Sequence, residues 1–97
     1  MSSPDLEFEW DDQKARLNLK KHGVGFEEAE MVFDDLSARI IDDPDHSLDE
    51  SREIIIGYSD RRRLLFVSYM ARGNRIRIIG ARLATREERR AYEQNYD

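Results

Sequence analysis

The sequence predicts an α+β fold: two N-terminal helices, a four-stranded and mostly antiparallel sheet, and a C-terminal helix. Three observations carry this reading. Apolar residues up to Asp35 recur at helical spacing. From Ser37 to Arg82 they fall into short runs rich in β-branched residues, separated by turn-forming stretches. From Thr85 onward a capped, highly charged helical pattern returns. Ninety-seven residues suffice for one core and not for two, so a single domain over residues 1–97 is expected.

The first helix is "WDDQKARLNLKKHG", with Asp11 as N-cap, Asp12 in the first turn, Lys20, Lys21 and His22 in the last turn, and Gly23 as terminator. Helical spacing puts Ala15, Leu19 and His22 on one stripe, expected to pack, and Lys14, Asn18 and Lys21 on a polar one. In "FEEAEMVFDD" Phe26, Ala29, Val32 and Phe33 form an apolar face, with Glu27, Glu28 and Glu30 expected outside. The four strands are "SARII", "REIIIGY", "RLLFVSYM" and "RIRIIGAR", with "SDRR" and "ARGN" as turns and the acidic "DDPDHSLDE" as the loop after the first strand. Thr85 and Glu88 stand at capping-box spacing and start the last helix. Helices on one face of such a sheet would leave the other face partly open.

With 38% charged and 39% hydrophobic residues, the chain carries enough apolar side chains to fold. It has no cysteine, which excludes disulfides and thiolate metal sites. No apolar run approaches the ~18 residues of a membrane span, and the start lacks a signal-peptide pattern, so a cytoplasmic protein without membrane contact is expected. The net charge of −5 hides a division: residues 1–60 carry 6 Lys+Arg against 17 Asp+Glu, and residues 61–97 carry 10 Arg against 4 acids. An acidic total argues against a broad, sequence-blind DNA binder, while the basic second half offers a surface for an anion.

Arg75 and Arg77 alternate with Ile76 and Ile78 and so share a face, whereas the bulge-prone "IGA" lets Arg82 fall on either side. Guanidinium groups hold phosphate bidentately and suit a phosphorane whose charge grows in the transition state. The competing reading pairs these arginines with the acidic first half. Lys14, Lys21 and His22 form a second group: phosphate contacts and a proton carrier, or a solvated helix end with a structural histidine. The run Asp42, Asp43, Asp45, His46, Asp49 and Glu50 fits no calcium-loop spacing and, with Pro44 inside it, reads as a solvated turn rather than a metal site. Tyr69, Tyr92 and Tyr96 either stack on bases or pack.

Three segments, "FEWDDQKARLNLKKHGVGFEEAEMVFDD", "PDHS…ESREIIIG" and "RRLLFVSYMARGNRIRIIGARLATREERRAYE", closely resemble the BrnT family of ribonuclease toxins of type II toxin-antitoxin systems over roughly residues 8–93. Departures from the family pattern are small, namely Gly25, Gly80 and Glu53. The resemblance implies a RelE-like fold and metal-independent, cofactor-free endoribonuclease activity on mRNA that inhibits translation. It implies a catalytic set of Arg82 and Arg52 as leading phosphate binders, Lys21 and His22 in support, and His22, Tyr69 and Lys21 as proton-transfer candidates. Lys14, Arg63, Arg75 and Arg77 are the expected RNA-binding residues. A BrnA-like antitoxin with a ribbon-helix-helix part is the implied partner, in a 2:2 complex that reaches operator DNA only through the antitoxin. The rival function is a non-enzymatic RNA- or protein-binding α+β module, and a second rival is a metal-dependent nuclease built on the acidic loop.

Overall fold

The computed structural model describes residues 5–42 and 52–94. Among them the order is β1 (Glu7–Glu9), α1 (Asp12–His22), α2 (Phe26–Met31), a 3-10 turn (Val32–Asp34), β2 (Arg39–Asp42), β3 (Arg52–Tyr58), β4 (Leu64–Arg72), β5 (Arg75–Leu83) and α3 (Arg86–Gln94). The α+β class holds, but the sheet has five strands in the order β1-β5-β4-β3-β2 rather than four. β1 is the addition: "EFE" pairs in parallel with the first residues of β5, Glu7 beside Arg75 and Glu9 beside Arg77. The other pairings are antiparallel.

Both ends of α1 follow their cap chemistry. The Asp11 carboxylate accepts from the Gln13 and Lys14 N–H groups at 2.8 and 3.1 Å, and Gly23 closes the helix at φ 70°. Its packing differs from the expected stripe. Leu19 is 54% exposed and His22 is also exposed, while Ala15 and Asn18 turn inward. Asn18 replaces a missing strand. Where β1 has ended, its side chain donates to the Ala81 carbonyl at 2.8 Å and accepts from the Ala81 N–H at 3.2 Å, satisfying the bare edge of β5.

The sheet carries a core on each face. Ile55, Leu65, Val67, Tyr69, Ile76, Ile78 and Ala81 pack against Val24, Phe26, Ala29 and Val32 beneath α1 and α2. Ile54, Ile56 and Leu64, which alternate with that set, pack instead with Tyr92 of α3. The C-terminal helix therefore lies against the opposite face, covering one end of it and not joining the other two helices. Its anchor is polar as well as apolar: the Tyr92 hydroxyl donates to Asp35 at 2.9 Å, and the same carboxylate accepts from the Tyr58 N–H.

Glu28, expected outside, is 8% exposed. It accepts from Ser59 Oγ at 2.7 Å and from Arg63 through both Nε and Nη2, and Arg63 also reaches the Gly23 carbonyl at 3.0 Å. This cluster ties the α1–α2 junction to the turn before β4. Nearby, Gly57 lies where a Cβ would come within 3.0 Å of Ala38, Asp35 and Val32 at once. Gly57→Ala is expected to lower stability by roughly 1–3 kcal/mol, because Val32 is buried, Ala38 packs against the core and Asp35 is held by hydrogen bonds from Tyr58 and Tyr92. A denaturant midpoint unchanged from wild type would contradict it.

Candidate functional site

One irregularity decides where the arginines point. Along β4 and β5, Ser68 pairs with Gly80 but Tyr69 pairs with Ile78, so Ile79 is an extra residue in β5. Strand alternation reverses there. Ile76 and Ile78 face the α1–α2 core before the bulge and Ala81 faces it after, which brings Arg82 to the same side as Arg75 and Arg77. By the same alternation Arg52, Ser68, Met70 and Arg72 occupy that face. Cross-strand rows run Arg52–Met70–Arg77 and Ile56–Phe66–Arg82.

Arg82 sits at the junction of this face with α1 and α3. Its guanidinium lies over the Phe66 ring, 3.8 Å from the centroid. Nη1 and Nη2 donate to the two Glu88 carboxylate oxygens at 2.9 Å each, and Nη1 also reaches the Leu83 carbonyl at 3.1 Å. Glu88 additionally accepts from the Thr85 N–H, while its own N–H donates to Thr85 Oγ1, so the expected capping box forms. A pocket of about 180 Å³ opens beside Arg82, lined by Asn18, His22, Phe66, Ser68, Gly80 and Ala81 as well. His22 and Arg82, 60 residues apart in sequence, thus share one pocket between the end of α1 and the open sheet face.

The other expected residues divide. Arg52 lies on the open face, and its Nε is buried with no hydrogen-bond partner among the described residues. An unsatisfied buried guanidinium nitrogen is costly. Arg75 and Arg77 line a second hollow of about 320 Å³ with Arg72, Met70 and Glu9. They also pair with the glutamates of β1, Arg75 with Glu7 and Glu9 at 3.5 Å and Arg77 with Glu9 at 3.2 Å. Lys14 and Lys21 are exposed on α1 and do not line the Arg82 pocket.

Two expectations are corrected. Tyr69 is 2% exposed in the α1–α2 core, on the far side of the sheet from Arg82, with its hydroxyl donating to Glu53 at 3.0 Å. Burial first, and then the Glu53 carboxylate, push that hydroxyl far above its ordinary ionisation range. It packs; it does not reach the site. Arg63 is committed to Glu28 on the α1–α2 side and does not join the arginine face. Tyr92 packs rather than presenting a ring for stacking. Sequence reasoning passed over Asn18, Phe66, Ser68 and Glu88 as parts of the site. The capping spacing of Glu88 was the one available signal, and it spoke of the helix and not of Arg82.

Three buried or half-buried carboxyls are held below their usual range, besides the exposed cap Asp11: Glu28 chiefly by Arg63, Glu88 chiefly by Arg82, and Asp35, where burial opposes the shift but the N–H groups of Tyr58 and Ser37 with the Tyr92 hydroxyl outweigh it. A depressed folded-state pKa contributes stability that is present above the ordinary value near 4–4.5 and is lost as pH falls through the depressed one. Melting temperature should therefore be flat from pH 7 to about 5 and fall steeply below about 4. A flat profile down to pH 2.5 would count against these pairings. Among the described residues no group of His, Asp and Glu is placed to hold a metal ion, and the acidic run 43–50 lies outside them. No helix among them is long and apolar enough to cross a membrane.

Fold and site together define a class: a small α+β protein with an open, arginine-bearing sheet face and a polar pocket at its helix-bordered edge. The family follows from comparison. Residues 10–88 match the family of the ribonuclease toxin, BrnT, of type II toxin-antitoxin systems, and the chain belongs to that family. Membership implies an antitoxin as partner. The crystal structure of the Brucella abortus ribonuclease toxin, BrnT, at 1.1 Å is similar in fold, with a TM-score of 0.65 at 24% identity over 84% of this chain and 99% of that one. A search among curated proteins gives no match.

Proposed function

We propose that this toxin is a metal-independent endoribonuclease that cleaves mRNA in the cytoplasm and so inhibits translation, as a single RelE-like toxin domain. The observation that carries the proposal is the meeting of Arg82 and His22 in one pocket on the face that also bears Arg52, Arg72, Arg75 and Arg77. In this reaction the ribose 2′-OH attacks the adjacent phosphorus, a pentacovalent phosphorane forms, and the 5′-oxygen leaves with a proton. Arg82 supplies a fixed cation for the phosphorane, and Arg52 neutralises a second phosphate oxygen or the next phosphate. His22 is the proton carrier of the pocket, with Lys21 beside it in sequence as an electrostatic support. Lys14 on α1 and Arg75 and Arg77 on the sheet guide the flanking strand; Tyr69 and Arg63 have no part in the chemistry.

The partner is a BrnA-like antitoxin with a ribbon-helix-helix part, in a 2:2 complex that contacts operator DNA through the antitoxin alone. The deciding experiment incubates antitoxin-free protein with mRNA in EDTA. Cleavage into products ending in 2′,3′-cyclic phosphate is expected. Activity that needs added magnesium would return the acidic loop to first place, and RNA binding without cleavage would leave the non-enzymatic module.

A further inference from the structure

We propose that Glu88 is the positioning residue of Arg82, holding its guanidinium by one edge so that the other edge receives the RNA phosphate. The proposal rests on the ribonuclease reading above and deepens it. A guanidinium offers five N–H groups on a rigid plane. At Arg82, Glu88 takes the end-on pair, one hydrogen each from Nη1 and Nη2 at 2.9 Å, and the Leu83 carbonyl takes the second Nη1 hydrogen at 3.1 Å. The side edge, made by Nε–H and the remaining Nη2 hydrogen, has no hydrogen-bond partner among the described residues. That edge is itself a two-donor fork, matched to two oxygens of a phosphate.

The surroundings distinguish a support from a competitor. Phe66 fixes one flat side of the plane at 3.8 Å from its ring centroid. Arg82 lines the pocket with His22 and Ser68, and Glu88 does not, so Glu88 grips the guanidinium from outside. Glu88 is in turn held to α3 by its reciprocal bonds with Thr85. Sequence, capping box, ion pair and stacked plane thus form one chain of constraint ending at the free fork. A pre-oriented fork loses little freedom when the phosphate arrives and is already in place as charge grows on the phosphorane.

Glu88→Gln separates this role from the helix cap, because glutamine also serves in a capping box. The test measures cleavage of an RNA oligonucleotide by wild type, E88Q, R82A and the double variant, with circular dichroism as the check on folding. E88Q is expected to lower kcat about tenfold with KM within about twofold, and to add nothing in the R82A background. Wild-type kcat in E88Q, or the same loss with and without Arg82, overturns the proposal, as does an E88Q that binds RNA more tightly, which would make Glu88 a rival of the phosphate. A second readout does not depend on cleavage. The Arg82 Nε–H resonance, assigned by its loss in R82K, should shift when a 2′-O-methyl oligonucleotide is added to wild type and shift far less in E88Q. If wild type cleaves no RNA but that resonance behaves as described, the enzymatic reading fails and the positioning role stands; if the resonance does not move in wild type, the positioning role fails.

Discussion

Arg82→Ala is expected to reduce RNA cleavage by ~100-fold or more and to abolish growth arrest, since removing one preorganised donor from a charge-developing centre costs roughly 3 kcal/mol. Its side chain is 34% exposed and lies between Phe66, Glu88 and the pocket, so the substitution also touches the fold. Glu88, itself 24% exposed, loses its cation, and the ring of Phe66 loses its cover. A stability loss of about 1–2 kcal/mol is expected, too little to unfold a typical domain. Arg82→Lys is the companion that isolates geometry: an ammonium keeps the charge but cannot serve Glu88 and a phosphate from two edges of one plane. Both proteins should remain folded at growth temperature, and equal toxicity of Arg82→Ala and wild type at equal expression would remove Arg82 from the site.

Arg63→Ala should produce the largest loss of stability, with a different signature in activity. Glu28 is 8% exposed and its oxygens are engaged by Arg63 and Ser59. Deleting the arginine strands a buried carboxylate, which typically costs about 3 kcal/mol and in a domain of this size lowers the melting temperature by roughly 10–20 °C. The cluster joins the end of α1 to the start of β4, so the injury reaches the whole core rather than a surface turn. Per folded molecule, cleavage at low temperature should stay near that of wild type. A stable Arg63→Ala protein that has lost RNA binding would restore Arg63 to the RNA-contacting set and remove it from the scaffold.

Much of the architecture was legible because local chemistry settled it. The run "REIIIGY" forms a strand with those bounds, Asp11 and Gly23 cap α1 as their side-chain and backbone preferences require, and Thr85 with Glu88 opens α3. What could not be read depended on partners distant in sequence. "EFE" becomes a strand only because β5 offers it an edge. Glu28 looks like any exposed helical acid until Arg63 and Ser59 meet it, and Leu19 looks like core although the inward turn of α1 is made by Ala15 and Asn18. Arginines 75 and 77 were legible as a pair on one face, and their glutamate partners were legible only as an acidic first half in general. At the candidate site, Arg82 and His22 were singled out from residue chemistry and weighted by the family resemblance, while the aromatic floor at Phe66 and the grip of Glu88 needed three dimensions.

The single extra residue at Ile79 gives the last strand a frame, in the sense that a coding sequence has one. Upstream of it odd-numbered side chains look out over the open face, and downstream even-numbered ones do. A strand of the same length paired without the bulge would carry Arg82 towards the α1–α2 core with Ala81 turned outward, whereas deleting Ile79 itself would leave a regular ladder, Ile78 inward and Gly80 outward, with Arg82 on its present face. The interval between Arg77 and Arg82 sets the face of the second arginine only together with the bulge, and a one-residue gap placed at Ile79 in a comparison of "RIRIIGAR" keeps like sides of the sheet aligned.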